Sequence, residues 1–269
     1  MRFSFRLPTW VFVPPLLGAT FCAAVLLCGI NRSLFLELNG AASLVPAWLW
    51  EHVTIMGDTL MALLVCLPFL RKNPRLLRSL LIGAIVATLF NRTLKPLLSV
   101  SRPPGVLDRD LFTITGPVFT RHSFPSGHTV TAATIAGVVA LSHHRAWVRI
   151  TALCAALLVG FSRIAVGVHW PADVGAGLCI GWSAAALGVH MSRDRLAQVS
   201  TPMHRLLATA MVAAALAALL LDHSGHTTTL AFQRTLAAIA LLWGGKEYLA
   251  LLRERSTAPG SVPTTSDAL

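Results

Sequence analysis

Charge is what this chain lacks. Only 12% of its 269 residues are Asp, Glu, Lys or Arg, about half the ~25% expected of a soluble globular domain. No polar stretch is long enough to form a soluble domain of its own. The five cysteines (Cys22, Cys28, Cys66, Cys154 and Cys179) all sit inside apolar runs, with neither metal-ligand spacing nor a loop setting. They read as small core residues and say nothing about redox compartment. The first apolar run follows Arg2 and Arg6 but has no small-x-small cleavage site, so it is expected to remain as an uncleaved anchor.

What the chain has in abundance is apolar sequence. Hydrophobic residues make up 55% and come in blocks of about 20, enough to cross a hydrocarbon core at 1.5 Å per helical residue. That predicts an all-α, polytopic transmembrane bundle. Eight spans are expected near 10–30, 53–70, 76–94, 127–142, 146–166, 171–190, 205–221 and 230–249. The third is the least continuous, with Leu80 to Phe90 as its uninterrupted part. Segment 34–50 is interrupted by Asn39, Gly40 and Pro46 and carries Trp48 and Trp50, which predicts an interfacial stretch. Residues 256–269, rich in Ser, Thr and Pro, are expected to be a disordered tail, leaving 1–255 as the membrane domain.

The formal charge of +11 is mostly a topology signal. With the N-terminus inside, 14 of the 22 Lys and Arg residues fall in inner loops or termini and 8 fall outside, as basic loops are retained on the cytoplasmic side. Both termini are then cytoplasmic, in a multi-pass inner (plasma) membrane protein, and no nucleic-acid partner is implied.

Folded this way, the outer (periplasmic) face collects the reactive residues. Its longest loop runs from about Lys95 to Ser126, and a second turn joins the fifth and sixth spans. Ionisable residues at span ends of so apolar a chain are functional candidates. Lys95, Arg102 and Arg163 are three cations at one end of the bundle. Arg offers a planar fork for phosphate oxygens and Lys a mobile point charge, although singly each also suits an interfacial anchor. In Pro125-Ser126-Gly127-His128, Ser126 can cap the fourth span and Gly127 admits close approach of a ligand. The helix start there is a potential anion site. His169 and Asp173, four residues apart behind Pro171, share a face if that turn is helical. Asp173 would then fix the tautomer of His169 and leave its other nitrogen free to attack. Two histidines and a carboxylate could also hold zinc. Three cations nearby would repel a dication and duplicate its work, so no metal and no other cofactor is expected.

Taken in order, Lys95-x6-Arg102-Pro103, Pro125-Ser126-Gly127-His128 and Ser162-Arg163-x5-His169-x3-Asp173 resemble the three-part signature of the type 2 phosphatidic acid phosphatase superfamily. That group also includes bacterial acid phosphatases and vanadium haloperoxidases. The resemblance runs from Thr54-x2-Gly57-Asp58 to about Gly181. It implies a six-helix phosphatase core (about 51–190), to which this chain adds two C-terminal spans. It implies that His169 is a nucleophile forming a phosphohistidine, oriented by Asp173, and that His128 protonates the leaving oxygen. Lys95, Arg102, Ser126, Gly127 and Arg163 would hold the phosphoryl oxygens.

The expected activity is hydrolysis of a lipid phosphate or diphosphate in the outer leaflet, with undecaprenyl diphosphate as the first specific expectation. Lipid A, phosphatidylglycerol phosphate and phosphatidate remain alternatives, as does phosphotransfer to a lipid hydroxyl. A proton-coupled transporter is the alternative from another class, but a cation cluster serves no purpose in a proton path. Oligomeric state is not legible. Asp58 is expected to pack or hydrogen-bond, Gly177 and Gly181 to mark a close helix contact, His122 to be a loop residue, and His143 and His144 to lie away from the site. A bell-shaped rate profile around the ordinary histidine pKa of ~6.5 is expected. Asp173 is expected to favour the charged form of His169 and move the ascending limb toward higher pH.

Overall fold

The computed structural model describes residues 9–69, 71, 73–193, 201–222 and 224–253; the expected tail at 256–269 lies outside these. The described chain is helical, with ten helices: α1 (Val13–Leu27), α2 (Asn31–Ala42), α3 (Ala47–Ile55), α4 (Thr59–Cys66), α5 (Pro74–Leu98), α6 (Gly127–Ser142), α7 (Ala146–Ala165), α8 (Pro171–Met191), α9 (Thr201–Leu220) and α10 (Leu230–Arg253). Each expected span coincides with a helix or a helix pair. By length and composition, α1, α5, α7, α8 and α10 can cross a membrane. The second span is a bent pair, α3 and α4 meeting at 61°, while α6 and α9 are apolar but shorter. The protein is a multi-pass membrane protein.

The bend has a local cause. Gly57 and Asp58 return hydrogen bonds to the Thr54 and Ile55 carbonyls, closing α3. Asp58 then caps α4, its Oδ1 accepting from the Leu60 N–H at 2.7 Å. That is the hydrogen-bonding role the sequence suggested. Asn73 caps α5 in the same way, with Pro74 in the first turn.

One expectation is corrected here. Asn39 and Gly40 do not break the chain, because α2 runs through both and the turn comes later, at Ser43–Pro46. Asn39 is buried and serves tertiary contacts. Its amide donates to the Thr113, Ile164 and Ala165 carbonyls at 3.0–3.1 Å, and its carbonyl accepts from the Thr113 N–H at 2.8 Å. It therefore ties α2 to the end of α7 and to the long loop.

α8 is the axis of the bundle. It packs against α1, α5, α6 and α7 and is buried over most of its length, as expected for a helix apolar on all sides. Gly177 and Gly181 face α6. A side chain at Gly177 would come within 2.8 Å of Thr129 Cβ, and one at Gly181 within 2.8 Å of Ala133 Cβ. Small residues let two backbones approach in this way.

α9 and α10 form a separate hairpin packed on α4 through Met61, Leu64, Met211 and Ala237. Gln233 of α10 closes the hairpin by donating to the Ala218 and Leu221 carbonyls at 2.7 and 2.8 Å. Glu51 of α3 fastens its connection, pairing with His226 at 3.2 Å and accepting from Thr228.

Overpacking the α6–α8 crossing should be costly. Gly181→Leu is expected to destabilise the protein by about 1–3 kcal/mol and lower its thermal unfolding midpoint in detergent. Gly245→Leu, where an added Cβ meets nothing within 4 Å, should leave it unchanged. Equal midpoints for the two variants would count against the crossing.

Candidate active site

The site lies where the long loop meets the starts of α6 and α8 and the end of α7. Two backbone hydrogen bonds fold the loop back on itself, Arg102 N–H to Thr120 O at 2.9 Å and Ser123 N–H to Val100 O at 2.8 Å. They bring the sequence around Arg102 alongside His122 and Ser123. The turn between α7 and α8 is tied down by the Arg163 carbonyl, which accepts from both the Val168 and His169 N–H groups at 3.2 Å.

His169 and Asp173 are paired as their spacing suggests. Both are 1% exposed, and His169 Nδ1 lies 3.0 Å from Asp173 Oδ2. The same oxygen accepts from Ser123 Oγ at 2.5 Å and from the Trp170 N–H at 2.9 Å. On the other side of the ring, Arg102 Nη1 lies 3.2 Å from His169 Nε2. A guanidinium can only donate, so Nε2 must present its lone pair and the ring proton must sit on Nδ1, directed at Asp173. The tautomer is thus fixed from both sides.

Three cations surround this pair. Arg102 is steered by the Arg121 carbonyl at 3.0 Å and the Val168 carbonyl at 3.3 Å, and lies 5.2 Å from the centre of the Phe119 ring. Lys95 donates to the His122 carbonyl at 2.9 Å, and His122 Nδ1 lies 3.1 Å from the Lys95 carbonyl. His122, expected to be an ordinary loop residue, thereby holds Lys95 in place. Arg163 is buried, donates from Nη1 to Thr54 Oγ1, and has no partner for its Nε among the described residues.

Ser126 caps α6, its Oγ accepting from the Thr129 N–H and hydroxyl. Its own N–H donates to the Asp173 carbonyl at 3.1 Å, joining the two helix starts. The first N–H groups of α6, at Gly127 and His128, have no intrahelical acceptor and present the positive end of the helix. His128 forms no side-chain hydrogen bond among the described residues; it lines a cleft with Asp58, Asn91 and Arg92. His143 and His144 are exposed, at the far end of α6.

Every candidate from the sequence therefore lies in this end of the bundle. Arg102, His169 and Asp173 are hydrogen-bonded in series, Lys95 joins through His122, and Arg163 and Ser126 join through their backbones. Ser123, Thr54 and Asn31, whose Oδ1 accepts from the Ala172 N–H at 3.1 Å, were not anticipated as supports. Ser123 stands beside the Pro125–His128 motif and Thr54 opens the resemblance, whereas Asn31 lies outside every motif.

The expected pH behaviour of His169 is corrected. Burial comes first, followed by the charges of Arg102, Arg163 and Lys95, and together they hold its pKa well below the ordinary histidine value. Desolvation and like charge outweigh the attraction of Asp173 for the imidazolium.

A profile of the PAP2 superfamily matches residues 76–197, which include every candidate from Lys95 to Asp173. The chain is 30% identical over 148 residues to the undecaprenyl-diphosphatase of Sulfolobus acidocaldarius, covering 55% of this chain and 68% of that one. It is 34% identical over 98 residues to the lipid A 1-phosphatase of Rhizobium etli, spanning 40% of that protein. The crystal structure of a transmembrane PAP2-type phosphatidylglycerolphosphate phosphatase from Bacillus subtilis superposes with a TM-score of 0.52 and 25% identity. The match covers 70% of this chain and 98% of that one.

A depressed pKa keeps the His169 ring neutral at pH values where an ordinary histidine is charged. In an NMR titration of histidine-labelled protein, His169 should gain its proton only at a pH well below the ordinary histidine value. Arg102→Gln removes one repelling charge and should move that titration to higher pH. A His169 that titrates at the ordinary histidine value would contradict this electrostatic picture.

Proposed function

The chain belongs to the PAP2 superfamily, and from that premise we propose that it hydrolyses the phosphate headgroup of a membrane lipid, with undecaprenyl diphosphate as its substrate. The observation that carries the reading is the Arg102–His169–Asp173 series, with the nucleophilic lone pair of Nε2 turned toward a cluster of cations. The similarity to an undecaprenyl-diphosphatase supports the choice of lipid. The catalytic unit spans about residues 51–190, within a membrane domain of 1–255.

The chemistry follows from the residues. Phosphoryl oxygens are held by Lys95, Arg102 and Arg163, by Ser126 and by the free N–H groups at the start of α6. The Nε2 lone pair of His169 attacks phosphorus while the bond to the leaving oxygen breaks, and His128 gives that oxygen a proton. The resulting positive charge on the His169 ring is balanced by Asp173. Water then attacks the phosphohistidine and passes a proton to His128; the P–N electron pair returns to Nε2, and inorganic phosphate leaves. Covalent catalysis divides one difficult displacement into two easier ones. Preorganised cations stabilise the charge on the equatorial oxygens, so no metal is needed in this reading.

Orientation is part of the proposal. The excess of basic residues at the opposite end supports a site at the outer face, with both termini inside.

Phosphate release from a panel of undecaprenyl diphosphate, phosphatidylglycerol phosphate, phosphatidate and lipid A, with product masses determined, tests the activity. Undecaprenyl diphosphate should be preferred. A preference for another panel member reassigns the substrate, and release from none of them refutes the reading. His169→Gln should reduce turnover to background, and Arg163→Ala should reduce it by roughly 10²–10³, as for loss of one oxyanion donor. Activity should survive EDTA; inactivation by EDTA that zinc or magnesium reverses would overturn the metal-free mechanism.

The facing of the site is tested by cysteines introduced at Asp108 and at Asn73, both exposed, in a background without native cysteine. The first should react with an impermeant thiol reagent in intact cells and the second should not. The opposite pattern would invert the topology.

A further inference from the structure

The long cleft beside the site is not used by the chemistry above. It has a volume of about 520 Å³, within the roughly 300–1,000 Å³ of small-molecule sites. Its site end holds Gly127, His128, Asn91 and Arg92. From there it runs along α5 as far as Leu77, about 22 Å at 1.5 Å per residue, between α4 and α6. Its walls there are apolar, with Leu63, Leu77, Leu80 and Ile135 among them. The remaining wall is α9, through Leu207, Ala210 and Met211.

We infer that this cleft receives the part of the lipid's hydrocarbon chain nearest the phosphate, and that α9 helps determine which chains fit. The inference rests on the proposed hydrolysis and deepens it. Of the proposed catalytic and phosphate-holding side chains, only His128 lines the cleft; His169, Asp173, Lys95, Arg102 and Arg163 do not. An in-line displacement expels the leaving group away from the nucleophile, and His128 is the residue that protonates it. The chain attached to that oxygen therefore departs on the His128 side, where the cleft opens. Polar groups mark the junction, Asn91, Arg92 and the carboxylate of Asp58 among them. Arg92 supplies a positive charge that suits oxygen atoms of the leaving group, and Asn91 Oδ1, buried without a hydrogen-bond partner among the described residues, can accept from a protonated oxygen there. Beyond them the lining is mostly apolar and suits a hydrocarbon.

The family match ends at residue 197, before α9 begins. α9 is fastened to α4 and α10 rather than to the α8 axis. A helix that closes the cleft without carrying any of the chemistry can change the accepted chain while leaving the phosphate site intact.

The experiment uses photolabelling, which does not depend on turnover. An isoprenoid diphosphate carrying a diazirine on one of the first few isoprene units after the diphosphate is irradiated with the intact protein in detergent micelles, and the labelled peptides are mapped by mass spectrometry. Label is expected on Leu207–Met211 of α9 and on Leu77–Ala84 of α5. It should be displaced by unlabelled diphosphate lipid and not by phosphatidylcholine. Hydrolysis without label at α9 and α5, or label that phosphatidylcholine displaces equally well, overturns the cleft assignment alone. Specific label without hydrolysis overturns the proposed reaction alone.

Variants give a second readout. Ala210→Phe and Met211→Trp fill the cleft. Each should lower kcat/KM for the long-chain diphosphate at least tenfold while leaving para-nitrophenyl phosphate, which has no chain, at the wild-type rate. Unchanged kcat/KM for the lipid in both variants, or equal losses on both substrates, would remove α9 from specificity.

Discussion

The site depends on one carboxylate oxygen. Asp173 Oδ2 accepts from the His169 ring, the Ser123 hydroxyl and the Trp170 N–H. The first bond sets the tautomer of His169, the second anchors the long loop, and the third caps α8. The Asp173 carbonyl takes the Ser126 N–H and so fixes the start of α6 as well. Fold and chemistry share these atoms. A carboxylate at a helix start suits the local field, which lets an acid remain buried beside the cations.

Three positive groups at one apolar end would normally repel one another and resist burial. Here the loop offsets part of that cost. The backbone carbonyls of Arg121, His122 and Val168 each face a cation, so carbonyl dipoles hold the charges in place before any anion arrives. That is preorganisation in the usual physical sense, since the donors need little rearrangement when charge develops. It also accounts for the state of His169. Burial first, and then these same charges, hold its pKa well below the ordinary histidine value.

The parts that were legible in the sequence depend on local rules. Apolar blocks placed the eight expected spans, each on a helix or a helix pair, although α6 and α9 are shorter than a span. Reactive residues stood out because they were polar residues at span ends, and four-residue spacing paired His169 with Asp173. The parts that were missed depend on long-range contacts. Asn39 looked like a helix breaker, but its partners lie 74 to 126 residues away. Ser123 is 50 residues from Asp173 and Thr54 is 109 from Arg163. The pH shift of His169 was misread for the same reason. Its sequence neighbour is an acid, whereas burial and the cations that decide the sign come from α5, the long loop and α7.

The break between α3 and α4 bears on how such a protein adapts to its membrane. Thr54, on one side of the break, holds Arg163; Asp58, on the other, caps α4 and lines the cleft. Inserting one residue near the break would rotate the following turn by about 100° and swing one of these groups away. In the proposed reaction the height of the phosphorus in the bilayer would thus be pinned to a backbone landmark rather than drift with helix length. A thicker or thinner bilayer has to be matched at the opposite ends of the helices, where adding or trimming a turn disturbs no reactive group. One end of the bundle serves as a datum, and the other is free to be tailored.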